Sequence, residues 1–483
     1  MQAPGPDGLH PNLVKAIADI LAGPLTELFN LTLTEGKVPS DWKLAVVIPI
    51  FKGKDTREVN NYRPVSLTCI LSKVLERILR RKMCDHLMKH KLLNPAQHGF
   101  IKGKSCLSNL LLALDDITEA LDKGDEVRIG YLDFQKAFDS VNHRLLALKI
   151  QTFGISPRVC AWINEFLTQR SFQVSVRGSL SNSASQLSGV PQGTVLGPLL
   201  FIMFINDLPV GLDSDCFMFA DDLKLISTAT GSSQLQHDLQ SIQSWSMTWD
   251  LPLNVAKCSV LSNTAPVVVT LGDVPINQEH EVRDLGVRLS HKFTPTTQCI
   301  AAANKAKRAL FVLRGAISSR DANIWIPMYC VYVRPHLEYC VQAWSPYLKK
   351  DVHILEKVQR MATRWVSGMK GLDYKERLSR LGLFSLERRR LRGDLIEVFK
   401  RTRDLDSLQA EGLLKLRGLS HLRGHNLMLE KQHCNLEVRK GFFAHRVVNS
   451  WNILPGNVVN ALTLDDFKRQ LDDCWAVSFP HLL

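Results

Sequence analysis

Two neighbouring carboxylates, Asp221 and Asp222, are the residues of this sequence best suited to chemistry. They separate two short apolar runs, 216–220 and 223–226, which predict a β-hairpin with the acids at its turn. Adjacent carboxylates raise each other's pKa, and a hard divalent cation is the natural compensation. Because Asp-Asp is also an ordinary turn dipeptide, this pair alone leaves a purely structural role open.

A third acid, Asp133, extends the same interpretation. It lies near the end of another strand-like run, 127–134, and the three carboxylates meet if that strand lies beside the hairpin. Three carboxylates can hold two Mg²⁺ or Mn²⁺ ions, which serve in-line phosphoryl transfer in polymerases, nucleases and phosphatases. The acids alone do not choose among these classes.

A glycine-containing loop, SGVPQG at 188–193, narrows the choice. Glycine allows a close backbone approach, and Gln192 offers an amide beside it. Pro198 then fits the first turn of an apolar helix that runs to about Leu208. The loop favours a polymerase over the other phosphoryl-transfer enzymes.

The charge of the 483-residue chain predicts a polyanionic partner. Lys and Arg total 60 against 47 Asp and Glu, a formal net charge of +13. Residues 291–483 carry +14 and residues 71–110 about +7, so basic segments lie on both sides of the acids in the sequence. This arrangement indicates nucleic acid, although Lys and Arg that only solvate helices would give the same composition.

The elements that position these residues follow from the apolar spacing. Helices are expected over 12–37, 71–88, 235–249, 300–313 and 352–365, and further strands over 44–51, around 259 and over 267–271. The eleven cysteines are scattered, and no apolar run is long enough to span a bilayer. We therefore expect an intracellular protein of the nucleus, the cytoplasm or both, without disulfides or a membrane span.

These motifs together resemble the reverse transcriptases of non-LTR (LINE) retrotransposons, most closely the jockey and chicken-repeat-1 type. YLDFQKAFDSV at 131–141, SGVPQGTVLGPLLF at 188–201 and FADD at 219–222 are similar to three successive motifs of that family. LNVAKCSVL at 253–261 and VRDLGVRL at 282–289 follow in the family's order. With NYRPVSL at 61–67 and RKGFFAHRVVNSWNILP at 439–455, the resemblance covers essentially the whole chain.

The resemblance implies an RNA-directed DNA polymerase whose partners are an RNA template, a DNA primer and dNTPs, with an element-RNA ribonucleoprotein as a further expectation. Asp133, Asp221 and Asp222 would be the catalytic carboxylates and the ligands of Mg²⁺, with Mn²⁺ as the alternative. Phe138 would exclude a ribose 2′-OH. The dNTP-binding residues that the resemblance implies are Lys52, Arg63, Lys102, Lys104, Phe138, Gln192 and Lys257.

The implied fold is α+β, a right-hand polymerase with an antiparallel palm sheet. We expect a helical extension over 1–39, fingers and palm over 40–290, a thumb-like helical region over 291–370 and a basic C-terminal region over 371–483. The endonuclease that precedes the polymerase in this family is not expected in this sequence. Two rivals remain: a two-metal nuclease, and a silent or co-opted copy that only binds nucleic acid.

Overall fold

The computed structural model describes residues 4–53, 55–228, 233–266, 268–403, 412–418 and 424–478. Helices and strands are mixed up to residue 290, whereas the described part of the chain beyond it is helical apart from one isolated bridge between Leu416 and Leu429. The predicted α+β class is confirmed.

The N-terminal part consists of helices around one β-hairpin. Pro24 lies inside the second helix, which ends where Gly36 adopts the left-handed conformation at φ +66°. The helix expected over 12–37 is therefore interrupted only at Ile17. The elements are α1 (Pro11–Ala16), α2 (Ala18–Glu35), α3 (Ser40–Lys43), β1 (Leu44–Phe51), β2 (Tyr62–Thr68), α4 (Ile70–Lys89) and α5 (Cys106–Lys123).

The middle of the chain contains the remaining strands. The hairpin expected around Asp221 and Asp222 is confirmed, as is the apolar helix that begins beside Pro198. This helix ends at Phe204 rather than near Leu208, because the side chain of Asn206 bonds the backbone of Leu92 and Asn94. The elements are β3 (Arg128–Leu132), α6 (Ala137–Ser140), α7 (His143–Thr152), α8 (Pro157–Leu167), β4 (Arg170–Val176), β5 (Ser179–Leu180), β6 (Ala184–Gln186), α9 (Gly197–Phe204), β7 (Asp215–Phe219), β8 (Asp222–Ser227), α10 (Ser233–Thr248), β9 (Ser259–Ser262), β10 (Thr270–Leu271), β11 (Val274–Pro275), β12 (Asn277–Glu279), β13 (Glu281–Asp284) and β14 (Val287–Ser290).

The strand expected over 267–271 forms only at Thr270–Leu271, and Val267 lies outside the described residues.

A five-stranded sheet in the order β12-β9-β3-β8-β7 forms the centre of the molecule. Successive side chains of a strand point to opposite faces, so β3, β8 and β7 each supply residues to both of the apolar cores that enclose the sheet. Ile129, Phe217 and Ile226 belong to one core, and Leu132, Met218 and Leu225 belong to the other. Burial of both faces specifies the strand register, since a shift of one residue would exchange the two sets.

A second sheet supports the loop after β1. Its order is β2-β1-β4-β5, with β6 also paired to β4. In the β1–β2 hairpin Ile50 lies opposite Arg63, and the backbone N–H of Lys52 donates to Asn61 O at 2.8 Å. Both cations therefore lie at the same end of this sheet.

Apart from a small separate cluster of Tyr374, Leu378 and Leu383, the C-terminal helices pack into one apolar core with α5 and one face of the central sheet. Trp325, Trp344 and Trp451 are buried in this core. No described helix is long and apolar enough to cross a membrane, and none of the eleven cysteines is bonded to another. The elements are α11 (Thr296–Ala316), α12 (Ala322–Met328), a π-helical turn (Tyr329–Val333), α13 (Pro335–Glu338), α14 (Val341–Trp344), α15 (Lys349–Arg364), α16 (Tyr374–Arg380), α17 (Leu386–Thr402), α18 (Glu437–Lys440), α19 (Phe443–Asn452), α20 (Gly456–Val459) and α21 (Leu464–Ser478).

Candidate active site

Three carboxylates from two separate parts of the sequence lie at one end of the central sheet. β3 ends at Leu132, which lies opposite Leu223 of the antiparallel strand β8. Asp133 therefore follows β3 at the end of the sheet where β8 begins with Asp222, and Asp221 lies in the adjoining turn. The adjacent strands β3 and β8 thus place the three acids at the same end of the sheet.

Burial and neighbouring negative charges raise the pKa values of Asp221 and Asp222. Desolvation by the surrounding strands raises the pKa of Asp221, and the charge of Asp133 adds to this effect. Desolvation also raises the pKa of Asp222 to about 6, with further contributions from Asp221, Asp284 and Asp133. Negative charge is thus concentrated where the side chains have lost part of their hydration. Carboxylate oxygens are the donors that Mg²⁺ and Mn²⁺ prefer, so this donor set fits a hard divalent cation.

Lys257 provides a cation beside Asp133. Its ammonium Nζ lies 2.8 Å from Asp133 Oδ2, and two-thirds of the lysine side chain remains exposed. The preceding segment holds the acid's backbone, since Asn254 N–H donates to Asp133 O at 2.7 Å and Gln135 N–H donates to Pro252 O at 2.8 Å. The hydrogen bonds between segments 133–135 and 252–254 therefore position both Asp133 and Lys257.

The SGVPQG loop packs between the segment that follows Asp133 and strand β2 of the second sheet. Gln192 Nε2 donates to Asp139 Oδ1 at 2.9 Å, and Ser66 N–H donates to Gln192 O at 2.7 Å. Gly193 adopts φ +119°, and a Cβ there would lie 2.2 Å from Ser66 O. Only glycine permits this approach. The loop thus places the Gln192 amide beside the segment that follows Asp133.

Phe138 lies under this loop. Its ring stacks on Phe201 with centroids 4.2 Å apart, and it meets the exposed ring of Phe100 edge to face at 6.2 Å. Its backbone carbonyl accepts the N–H of Val190 at 2.7 Å. A ring held on two sides by other rings has a defined position, as steric exclusion of a hydroxyl requires.

The two cations of the β1–β2 hairpin act electrostatically on two acids of this region, Asp221 and Asp139. Arg63 lies close enough to Asp221 to counteract the rise in that carboxyl's pKa, although desolvation of Asp221 remains the larger effect. Lys52 acts in the same sense on Asp139, whose pKa is raised mainly by burial. The structure therefore brings both predicted residues into the electrostatic field of the site.

The two lysines of the 99–105 loop, Lys102 and Lys104, differ in exposure and in hydrogen bonding. Lys102 is exposed. Lys104 instead turns back onto its own segment, where its Nζ donates to Pro95 O at 2.6 Å and to Gln97 O at 2.9 Å. Burial lowers the pKa of Lys104 to about 8. In this structure Lys104 braces the loop, and its predicted contact with a dNTP stays a prediction.

Two connected cavities adjoin the acids. The smaller, about 200 Å³, is lined by Asp133, Asp222 and Lys257. The larger, about 1160 Å³, shares Asp222 and is lined by Glu281 and by four cations, of which Arg288 pairs with Glu281. These four are Arg283, Arg288, Lys305 and Arg308. A wide cleft with cationic walls that opens on a carboxylate cluster suits a polyanion whose reacting end lies at the acids.

Sequence reasoning missed three acids that shape the site. Asp139 holds Gln192, and Asp284 forms a buried ion pair with Lys224, two residues after Asp222. Buried Glu76 of α4 accepts the N–H groups of Val195 and Leu196 at 2.7 and 3.1 Å, which anchors the start of α9. Only Glu76 had a sequence signal, because it lies on the apolar stripe of an amphipathic helix.

A separate group of Asp213, His237 and Asp238 lies at the opposite end of β7. The Asp238 carboxylate accepts the N–H groups of Asp213 and Ser214 at 2.8 and 2.9 Å. These bonds show that Asp238 anchors the turn before β7, and the group lies apart from Asp133, Asp221 and Asp222.

Comparison with known proteins agrees with this geometry. Residues 51–289 match the family model of reverse transcriptase (RNA-dependent DNA polymerase). The chain is 28% identical over 390 residues to a probable RNA-directed DNA polymerase from transposon X-element of Drosophila melanogaster, covering 76% of this chain and 42% of the relative. It is 27% identical over 388 residues to the RNA-directed DNA polymerase from mobile element jockey of the same species, again covering 76% and 42%.

Among solved structures, a telomerase from Candida albicans in complex with a fragment of telomeric RNA aligns with a TM-score of 0.38 and 12% identity. That alignment covers 74% of this chain and 65% of the telomerase chain. The chain spans less than half the length of the curated relatives it matches. The family model, the transposon relatives and the ordered motifs agree: residues 51–289 form a reverse transcriptase domain, and the chain is similar to the polymerases of non-LTR retrotransposons.

Proposed function

We propose that this chain extends a DNA primer with dNTPs on an RNA template, as an RNA-directed DNA polymerase that requires Mg²⁺ or Mn²⁺. The observation that carries the proposal is the meeting of Asp133 with Asp221 and Asp222 across β3 and β8. The match of residues 51–289 to the reverse transcriptase family model supports the same reaction. Action inside the cell, in the nucleus, the cytoplasm or both, is part of the proposal.

The three carboxylates would hold the divalent cations, which when bound supply charge stabilisation for the attacking and leaving oxygens. Lys257, at 2.8 Å from Asp133, carries positive charge at the edge of the site, where it would help to neutralise the pyrophosphate. Arg63 and Lys52 would hold the triphosphate from the side of the β1–β2 hairpin. Lys102 remains a candidate for the same task.

Selection of the nucleotide would rest on the rings and the loop. The Gln192 amide, oriented by Asp139, would lie against the incoming base pair. Phe138 is held in place by contacts with Phe201 and Phe100. A ring fixed in this way would exclude a ribose 2′-OH from the nucleotide site. Deoxynucleotides would therefore be preferred.

The wide cationic cleft would hold the primer–template duplex. Its wall of Arg283, Arg288, Lys305 and Arg308 would contact phosphates without reading bases. Binding would weaken steeply as salt rises, because each neutralised phosphate releases counterions. An element-RNA ribonucleoprotein is the natural context for such a surface.

The experiment is primer extension on poly(rA)/oligo(dT) with Mg²⁺, comparing the wild type with Asp221→Asn. Asp273→Asn is a matched control, because this acid is exposed at the tip of the β10–β11 hairpin. We expect extension by the wild type and by the control and none by Asp221→Asn. Absence of extension by all three, with unchanged salt-dependent binding of primer–template, would replace the proposal with that of a nucleic-acid-binding copy. Degradation of the primer instead would indicate a nuclease.

A further inference from the structure

The turn that carries the catalytic acids has a strained backbone. Phe219 and Asp222 pair across the end of the β7–β8 hairpin, and only Ala220 and Asp221 connect them. Ala220 is buried and has φ +55°, a left-handed conformation in which the Cβ of a non-glycine residue crowds the backbone. Such a conformation persists only where the surroundings hold it.

One side chain from outside the hairpin holds this residue. Gln97 is 1% exposed and lies 123 positions earlier in the chain. Its Oε1 accepts the N–H of Ala220 at 2.9 Å and that of Gly99 at 2.7 Å, while Nε2 faces Ala220 O at 3.5 Å. A single amide thus contacts both backbone polar groups of the strained residue.

The segment around Gln97 runs along β7 as an additional support. Met218 N–H donates to Ala96 O at 2.9 Å, and His98 N–H donates to Met218 O at 2.8 Å. Lys104 holds the same segment from its other side through Pro95 O and Gln97 O. The amide of Gln97 therefore has a fixed position from which to restrain the turn.

Gly99 lies so close to the turn that no side chain fits. A Cβ at this position would lie 2.4 Å from Ala220 N and 3.1 Å from Phe219 C. Both atoms belong to the backbone and have no freedom to move without displacing the acids. The close packing of this segment against the acidic turn therefore requires glycine at position 99.

We propose that Gln97 is a positioning residue for polymerisation, which fixes Asp221 and Asp222 relative to Asp133 through the backbone of Ala220. The proposal rests on the proposed function. Gln97 contacts the turn's backbone and its own segment, so its effect would be on the placement of the carboxylates. Placement errors of about 1 Å at a reacting centre reduce rates roughly 100-fold.

The test compares Gln97→Met with Gln359→Met. Gln359 is an equally buried glutamine of α15, bonded to Tyr329, Tyr374 and Phe384 away from the acids, and so controls for the loss of a buried amide. We expect kcat of Gln97→Met to fall roughly 10- to 100-fold per folded molecule. The KM for dNTP should change by less than about twofold, because the cations and rings that bind the nucleotide are untouched. The control should keep its kcat.

Hydrogen exchange supplies a readout that does not depend on activity. In the wild type the Ala220 N–H should exchange slowly, although its acceptor is a side chain, and in Gln97→Met it should exchange at least about tenfold faster. Gly99→Ala, which leaves Gln97 in place but displaces the same turn, should show a similar loss of kcat. If Gln97→Met does not fold, the exchange rate of the Ala220 N–H in the wild type decides the matter.

An Ala220 amide that exchanges in the wild type as fast as an exposed turn amide would overturn the proposal. Equal losses of kcat in Gln97→Met and Gln359→Met would do the same. A wild type that extends no primer refutes the proposed function instead, and the exchange measurement then still decides whether Gln97 restrains the turn.

Discussion

Removal of Lys224 is expected to destabilise the hairpin that follows the active site. Lys224 Nζ lies 2.5 Å from Asp284 Oδ2, and the two side chains are 5% and 7% exposed. Tyr131 lies against the pair, and burial, reinforced by the charge of Asp284, raises its pKa well above the ordinary value. The ion pair joins β8, which begins with Asp222, to β13 of the next hairpin.

The magnitude follows from the burial of both charges. Loss of one partner from a buried pair leaves the other charge without compensation and costs about 3–5 kcal/mol. We therefore expect Lys224→Met to lower the free energy of unfolding by about that amount. The double variant Lys224→Met with Asp284→Asn removes both charges and should recover about half of the loss or more.

The assay is denaturant unfolding followed by tryptophan fluorescence, at low and high salt. Arg380→Met is the control, because Arg380 pairs with Glu376 in an exposed position on α16 and should change stability little. Salt should leave the effect of Lys224→Met almost unchanged, since buried pairs are weakly screened. Equal costs for Lys224→Met and Arg380→Met, or a double variant whose loss is the sum of the two single losses, would refute the reasoning.

Three further outcomes are expected. Phe138→Ala should raise the incorporation of rNTP relative to dNTP at least about tenfold in single-nucleotide extension, and an unchanged ratio would contradict the role of the ring. Burial, with the charges of Asp215 and two other acids, raises the pKa of Asp116 from 3.8 to about 7. The folded state therefore loses stability as pH rises from about 4 to about 7, so Asp116→Asn should stabilise on the order of 1–3 kcal/mol at pH 8 and hardly at pH 4 in thermal unfolding. Arg439→Met leaves Asp115 buried without its 2.5 Å partner, and we expect a loss of about 3 kcal/mol and faster proteolysis of the C-terminal helices. Unchanged digestion would show that this contact does not hold them.

Local patterns were enough to predict the elements of the active site. The apolar runs on either side of Asp221 and Asp222 became β7 and β8, and the run before Asp133 became β3. Period-two alternation and turn residues act over a few positions, so they are visible in a single sequence. The positions of Phe138 and Gln192 came from motifs of a known family, and in the structure Phe138 stacks on Phe201 while Gln192 bonds Asp139, in the segment that follows Asp133.

The supports of the site were not predictable in this way. Gln97 reaches Ala220 across 123 positions, and Lys224 reaches Asp284 across 60. Lys104 was expected to contact a nucleotide. In the structure it donates instead to carbonyl oxygens of the Gln97 segment, which come within its reach only once the chain has folded.

The amino-acid sequence by itself determined which short elements form and which acids lie at their ends, because periodicity, turn preference and charge are local properties. Only the tertiary structure decided how these elements are held together. Arg439 and Asp115, 324 positions apart, form a buried bond that joins the C-terminal helices to α5 behind the central sheet. Partners of this kind are selected by burial, where an uncompensated polar group is costly, and burial exists only once distant parts of the chain have packed.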